Sequence, residues 1–404
     1  MNKIKNLMLG LATLILCAAV TACSKDDKEN NSANGGANEP ASRFEQYQQA
    51  VNNIVNSQKR SDKVILLVAF GSTWEQAYDT FDKVIDDYKN DPRFQGWDVF
   101  LSFSSAICIN NARAGENVDP KDFYDPEHFL TAIGKAGYKK IIVQSLQVIP
   151  GEEYRRVRDS YVKDFMNNRN GDFTDAYMKS IDRQVAIGTP LMAEESDAQT
   201  LATTLNDEPD VQAAVQQGIV AFMGHGNPVG YDYYGGNIRY LQLEKYLRAI
   251  PTVGHKYYVG TVDMADTYAE NVLEHIEGGT FTYQVGSLAE TVTYPANNAT
   301  QAQLFVLMSI AGDHAHNDMA DANDPESWFS LFNAAGITTK AEETNFTEIC
   351  WKNYDPTQEG YIPGLAERSA VRGLWKDHTQ AAIEKLGSIK ALSTPTTEPE
   401  PAEE

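Results

Sequence analysis

Two segments far apart in the chain share one design. Residues 64–74 read VILLVAFGSTW and residues 220–230 read VAFMGHGNPVG, each an apolar run that stops at a glycine turn. Such a run, closed by glycine, is the pattern of a strand buried on both faces of a parallel sheet. Further pairs follow in the same order: KYYVGTVDMA at 256–265 matches DVFLSFSSA at 98–106, and QLFVLMSIAGDHAHNDM at 303–319 matches KIIVQSLQVIPGEEY at 140–154. Helical periodicity separates the runs, and alternating strands and helices signal an α/β fold with a largely parallel sheet. The sequence predicts two similar Rossmann-like βαβ domains, residues 43–210 and 211–390, with mostly parallel sheets facing a central cleft.

In the first half the expected strands are 63–70, 98–104, 140–148 and 184–189, with helices near 74–89, 126–136 and 152–167. Phe44, Tyr47, Val51 and Ile54 recur at spacings of three and four, which predicts an amphipathic helix over 43–58.

In open parallel sheets ligands sit beyond the carboxyl ends of the strands. There the second half carries His225, Asp263 and His314, where the first half carries Ser72, Ser105 or a neighbour, and Glu152. Two neutral imidazoles and a carboxylate suit cobalt, nickel, iron or zinc and leave coordination positions open. Each residue also has a plainer reading. His225 could bond backbone in its tight turn, Asp263 could cap a helix beginning at Met264, and His314 could belong to a helix start. Candidate substrate contacts are Gly71, Ser72 and Glu152, and Tyr231, Tyr233 and Tyr234 of the loop after His225. Arg155 and Arg156 could bind carboxylates or be exposed helix residues. His128, His255, His275 and His378 read as surface residues. His314, His316 and Asp318 have part of the spacing of a metallo-hydrolase motif, but Met319 stands where its last histidine would be.

The ends carry a different message. Two lysines, an apolar run from Leu7 to Val20 and small residues before Cys23 form a secretory signal, too short to span a bilayer. Val20-Thr21-Ala22-Cys23 is similar to a bacterial lipobox, so residues 1–22 are the expected signal peptide and Cys23 the lipidated N-terminus. An ordinary cleavage near Ala22 is the alternative. Residues 23–42 read as a flexible tether and 391–404 as a disordered acidic tail. The expected location is an exported lipoprotein, on the periplasmic side of the envelope or the outer-membrane surface, touching the membrane only through its anchor. With the signal and Cys23 set aside, Cys108 and Cys350 remain, as one disulfide or two thiols. A net charge of −22 argues against nucleic acid as a partner. A homo-oligomer is compatible with all of this.

Together LLVAFGST, IIVQSLQVIPGEEY, VAFMGHG, AGDHAHNDMA and SWFSLFNAAGI resemble the anaerobic sirohydrochlorin cobaltochelatases of the CbiK type, over roughly residues 62–390. The resemblance implies a class II chelatase that inserts Co²⁺, with Ni²⁺ or Fe²⁺ as alternatives, into a sirohydrochlorin-type tetrapyrrole without ATP. It implies His225, Asp263 and His314 as metal ligands and the two histidines as catalytic, His225 accepting a pyrrole proton. The family usually has glutamate where this chain has Asp263. Residues 277–300 look like an added hairpin, and another insertion lies near 340–360. Export places the chain away from cytoplasmic cobalamin synthesis, so tetrapyrrole or haem binding, metal salvage or dechelation is the rival expectation.

Overall fold

The computed structural model describes residues 42–115, 120–285, 288–340, 362–388, 390 and 392. The expected signal peptide, Cys23, nearly all of the tether and the acidic tail, and Cys350 in the second insertion lie outside those residues. Among the described residues, no helix is long and apolar enough to cross a membrane.

Four parallel strands form the first sheet: β1 (Lys63–Ala69), β2 (Asp98–Phe103), β3 (Lys140–Ser145) and β4 (Val185–Gly188), in the order β2-β1-β3-β4. The second sheet has β5 (Ile219–Gly224), β6 (Tyr257–Thr261), β9 (Gln301–Leu307) and β10 (Thr338–Lys340), all parallel, in the order β6-β5-β9-β10. The strands matched by sequence occupy matching places, and β10 stands where β4 does. β7 (Gly279–Val285) and β8 (Leu288–Tyr294) form the antiparallel hairpin expected within 277–300.

Burial on both faces explains the unbroken apolar runs. Ile65, Leu67 and Ala69 of β1 join one core, while Val64, Leu66 and Val68 join another with Val51 and Val55 of the helix Arg43–Gln58. The first of these cores continues through Val220–Met223 of β5, so one apolar core runs through both halves.

The halves also exchange their last helices. The helix Glu195–Asp207 packs on Ile238–Arg248 of the second half, with Glu195 bonding Lys245 and Tyr246. The helix Ser369–Glu384 returns to β3 and β4 of the first half. There Arg372 pairs with Asp87 at 2.6 Å and Tyr88 shares a hydrogen bond with Thr379, both partners on the helix Glu75–Asn90. Just before this helix, buried Arg368 pairs with Asp210 at 2.7 Å and with Glu208 at 3.1 Å.

Several expectations change. Helices Ala106–Ala114, Asp175–Ile181, Glu195–Asp207 and Pro209–Gln217 were not legible, and the helical stretch from Glu152 to Met166 contains a π-helical segment, Arg156–Val162. Three histidines read as surface residues are inside. His128 is buried beside Asp125, His275 is buried against Tyr294, and His378 is mostly covered, near Asp197 and Thr189. Only His255 of the four is exposed. Each buried ring found a hydrogen-bonding or stacking partner, which a periodicity reading cannot supply.

Candidate metal centre at the strand ends

The two glycines around His225 have separate causes. A Cβ on Gly224 would come within 2.3 Å of the Tyr240 ring; Gly226 has φ 78° and a Cβ there would meet Met264 N at 2.7 Å. The turn therefore lies tight against the loop after β6. Asp263 N donates to His225 O at 2.8 Å, which fixes the two residues side by side. Asp263 caps no helix: the next one starts at Ala269, and Thr261 Oγ1 receives the Met264 N–H instead. His314 arrives from the segment after β9, at the start of a π-helical turn, Ala315–Met319.

The three residues are brought together. The rings of His225 and His314 meet edge to face, centroids 4.7 Å apart, and His225 Nδ1 lies 3.6 Å from Asp263 Oδ2. Their side chains are 47, 36 and 41 % exposed for His225, Asp263 and His314, so the group is open to an incoming ion. His225 Nδ1 is 2.7 Å from Gly226 O, and His314 Nδ1 is 2.6 Å from Asp318 Oδ2. With Nδ1–H donating in each case, both Nε2 atoms carry a lone pair, the arrangement that orients metal-ligating imidazoles. The donor set fits a divalent transition metal. Among the described residues, however, no group of three or more His, Cys, Asp or Glu side chains is placed so that it could hold a metal ion as it stands. Gripping an ion would require the two rings to turn from their edge-to-face contact.

The protonation of the two histidines is pushed apart. Although open on one side, His225 is crowded by protein; this burial, with the neighbouring His314 charge, lowers its pKa. Burial also disfavours charge on His314, but the Asp318 hydrogen bond and the charges of Asp318, Asp263 and Asp313 outweigh it and raise the pKa. His316 does not join them. Its ring stacks on Trp74 at 3.6 Å and burial pushes it down to about 4, so His314, His316 and Asp318 do not converge as a hydrolase motif would need.

Strand register corrects the equivalences between the halves. Ser104 N and Ser105 N donate to Ala69 O and Phe70 O, as Val262 N and Asp263 N donate to Gly224 O and His225 O. The counterpart of His225 is thus Phe70, with Ser105 opposite Asp263; Ser72 lies two residues further on. Gly71, φ 109°, is the counterpart of Gly226, and its missing Cβ would sit 2.8 Å from Cys108 Cβ and from the Phe103 ring. Ser72 is buried and its Oγ accepts from Trp74 N. Glu152 N meets Asn227 Oδ1 at 3.4 Å, and neighbouring Glu153 is held by Ser104, its pKa raised by burial.

The tyrosine loop docks on the first half. Tyr233 lies under Arg155, 4.0 Å from the guanidinium to the ring centroid; Tyr231 is edge-on to Tyr233, and Tyr234 bonds Asp159 and Arg158. Tyr233 and Tyr234 thus serve contacts between the halves. A different apolar set was missed in the sequence. Phe70, Ile107, Val229 and Tyr268 are exposed, and all lie on segments that follow β1, β2, β5 and β6. All four lie beyond the carboxyl ends of their strands, where ligands sit in open parallel sheets, whereas Phe44, also exposed, lies on the first helix. A separate pocket around Tyr161, Arg169 and Asp172 shares no residue with these segments.

Two like α/β halves carry, at the strand ends of one of them, a histidine, aspartate, histidine group whose donors suit a divalent metal ion. The chain matches the cobalt chelatase (CbiK) family over residues 63–384. It belongs to that family and is a metal chelatase. A sirohydrochlorin cobaltochelatase of Salmonella typhimurium is 25% identical over 324 residues, covering 80% of this chain and 96% of the relative. Sirohydrochlorin cobaltochelatase CbiKC of Nitratidesulfovibrio vulgaris is 27% identical over 330 residues, covering 80% and 92%. A solved structure titled SirB from Bacillus subtilis with Fe3+ aligns at TM-score 0.41 and 12% identity, over 80% of this chain and 96% of that one.

Proposed function

We propose that this chain inserts Co²⁺ into a sirohydrochlorin-type tetrapyrrole, with His225, Asp263 and His314 holding the ion as it is delivered. The observation that carries this is the pair of imidazoles with both Nδ1 atoms engaged and both Nε2 lone pairs available beside one carboxylate. The names of the two cobaltochelatase relatives support the choice of metal and macrocycle.

Insertion exchanges two pyrrole N–H protons for one dication, so the site must accept protons while it releases metal. As the ion passes to the macrocycle, the Nε2 lone pair of neutral His225 would be freed and is suited to take one pyrrole proton, because the lowered pKa keeps the ring uncharged at neutral pH, while the second proton passes to solvent water. Asp263 attracts the dication and offsets its charge as solvent leaves. Phe70, Ile107, Val229 and Tyr268 offer apolar surface to the face of the macrocycle. The step needs no ATP, because metal–nitrogen bonds replace the metal–water and N–H bonds that are lost.

The secretory signal and Cys23 support an exported, lipid-anchored form, and they favour a second reading of the same site: capture of a tetrapyrrole, or removal of its metal. Absorption spectra of sirohydrochlorin with Co²⁺, then Ni²⁺ or Fe²⁺, distinguish the two. Accelerated insertion by the wild type, lost in His225→Ala, is the expected result. Macrocycle binding without acceleration over the uncatalysed rate would overturn insertion in favour of capture.

A further inference from the structure

The first half has Phe70 and Ser105 where the second has His225 and Asp263, yet its β1 loop touches the segment of the other half that carries His314. Trp74 Nε1 donates to Asp313 Oδ1 at 2.7 Å, and Thr73 Oγ1 donates to the same oxygen at 3.2 Å. The Trp74 indole lies flat on His316, centroids 3.6 Å apart and planes 10° apart. Asp313 and His316 stand on either side of His314 in the sequence. The loop that grips them is itself fixed. Ser72 Oγ accepts from Trp74 N at 3.1 Å, and Gly71 sits where no side chain fits between Cys108 and Phe103. His316 Nε2 is buried and has no hydrogen-bond partner among the described residues, so at that atom no hydrogen bond supplements the stack.

We propose that Trp74 is a positioning residue for metal delivery: by holding Asp313 and His316 from the opposite half, it sets the orientation of His314 and ties the grip on metal to the placement of the two halves. This rests on the reading of His314 as a ligand. Asp318, the hydrogen-bond partner of the His314 ring, belongs to the same turn and moves with it. Alignment with His225 and Asp263, on other strands, therefore depends on what holds the turn from outside. The loop that lacks a ligand in one copy serves as the bracket for the ligand of the other.

The test titrates the purified full-length chain with Co²⁺ alone, following the ligand-field absorption of the bound ion and the melting temperature. His314→Ala should lose the bound-ion spectrum. Trp74→Ala should bind about tenfold more weakly with altered bands at little change in melting temperature, the scale expected when a group that orients a metal ligand is removed. Trp74→Phe, which keeps the stack and loses the N–H to Asp313, should recover most of the affinity and fall short by about threefold, a part of the roughly tenfold expected when the whole orienting contact is lost. Wild-type affinity and spectrum in Trp74→Ala, with binding lost in His314→Ala, would overturn the inference and leave the ligand reading intact. Wild-type binding in His314→Ala would overturn both. Should Trp74→Ala fail to fold, Trp74→Phe decides, and an unchanged affinity there counts against the bracket.

Discussion

The two imidazoles of the site hold protons differently, and this gives metal binding a direction in pH. His314 is raised above the ordinary value of 6.5 because the hydrogen bond and charge of Asp318 outweigh the effect of burial. Bound Co²⁺ must displace that proton. Affinity should therefore be full above the raised pKa and fall by about tenfold per pH unit below it. Asp318→Asn removes the main interaction that favours the charged ring, so the midpoint should move toward acid even as the limiting affinity drops. Calorimetric Co²⁺ titrations at stepped pH would show this; an unmoved midpoint would refute it. His225, Asp263 and His314 were legible because the repeat aligned three strand ends. Phe70 and Trp74 were not: matching glycine to glycine sets the repeat two residues off the register that the hydrogen bonds define, and a tryptophan after GST reads as the first turn of a helix.

The inserted hairpin shows what periodicity can and cannot reach among the elements. Its alternating residues announced two strands, but not the polar network beneath them. His275 Nε2 meets Tyr283 OH at 2.6 Å, Tyr294 OH donates to Glu244 Oε2 at 2.6 Å, and Val259 N donates to Glu244 Oε1 at 3.1 Å. Ile238, Leu241 and Met264, next to Asp263, pack with Tyr283 and Val285 of the hairpin, so it supports the site loop from behind. Burial pushes Glu244 up to about 7 from 4.5 and His275 down to about 4 from 6.5. The signs are opposite. Protonated Glu244 favours the fold below about pH 4.5, and this contribution is lost as pH rises toward about 7; the neutral His275 contribution is lost as pH falls from about 6.5 to about 4. Glu244→Gln keeps an acceptor for Val259 and should abolish the loss on raising pH, on the order of 3 kcal/mol, while the acid-side loss remains. Melting temperatures between pH 4 and 8 would show it, and a wild-type profile in the variant would count against it.

At the scale of the molecule, the leading segment and the lobes answer to different physics. A basic start, an apolar run and a cysteine after small residues would specify an address rather than a fold, so the proposed lipidation of Cys23 is tested by its chemistry. Growth of an expressing bacterium with a labelled fatty acid should mark the wild type and leave Cys23→Ser unmarked; equal labelling would refute the anchor. The halves were legible because strands buried on both faces leave long apolar runs and their order repeats. The exchanged helices were not, because an amphipathic helix declares an apolar face without naming the surface that covers it. That exchange bears on ancestry. A single-copy forebear with this layout would leave the seat of its last helix open, and a second identical chain would fill it, giving a symmetric pair with two equivalent sites. Joining two such copies into one polypeptide would release one site from chemistry, and this chain shows the matching asymmetry: one lobe carries the histidine, aspartate, histidine group, while the other has Phe70 and Ser105 there and reaches across to Asp313 and His316 through Trp74.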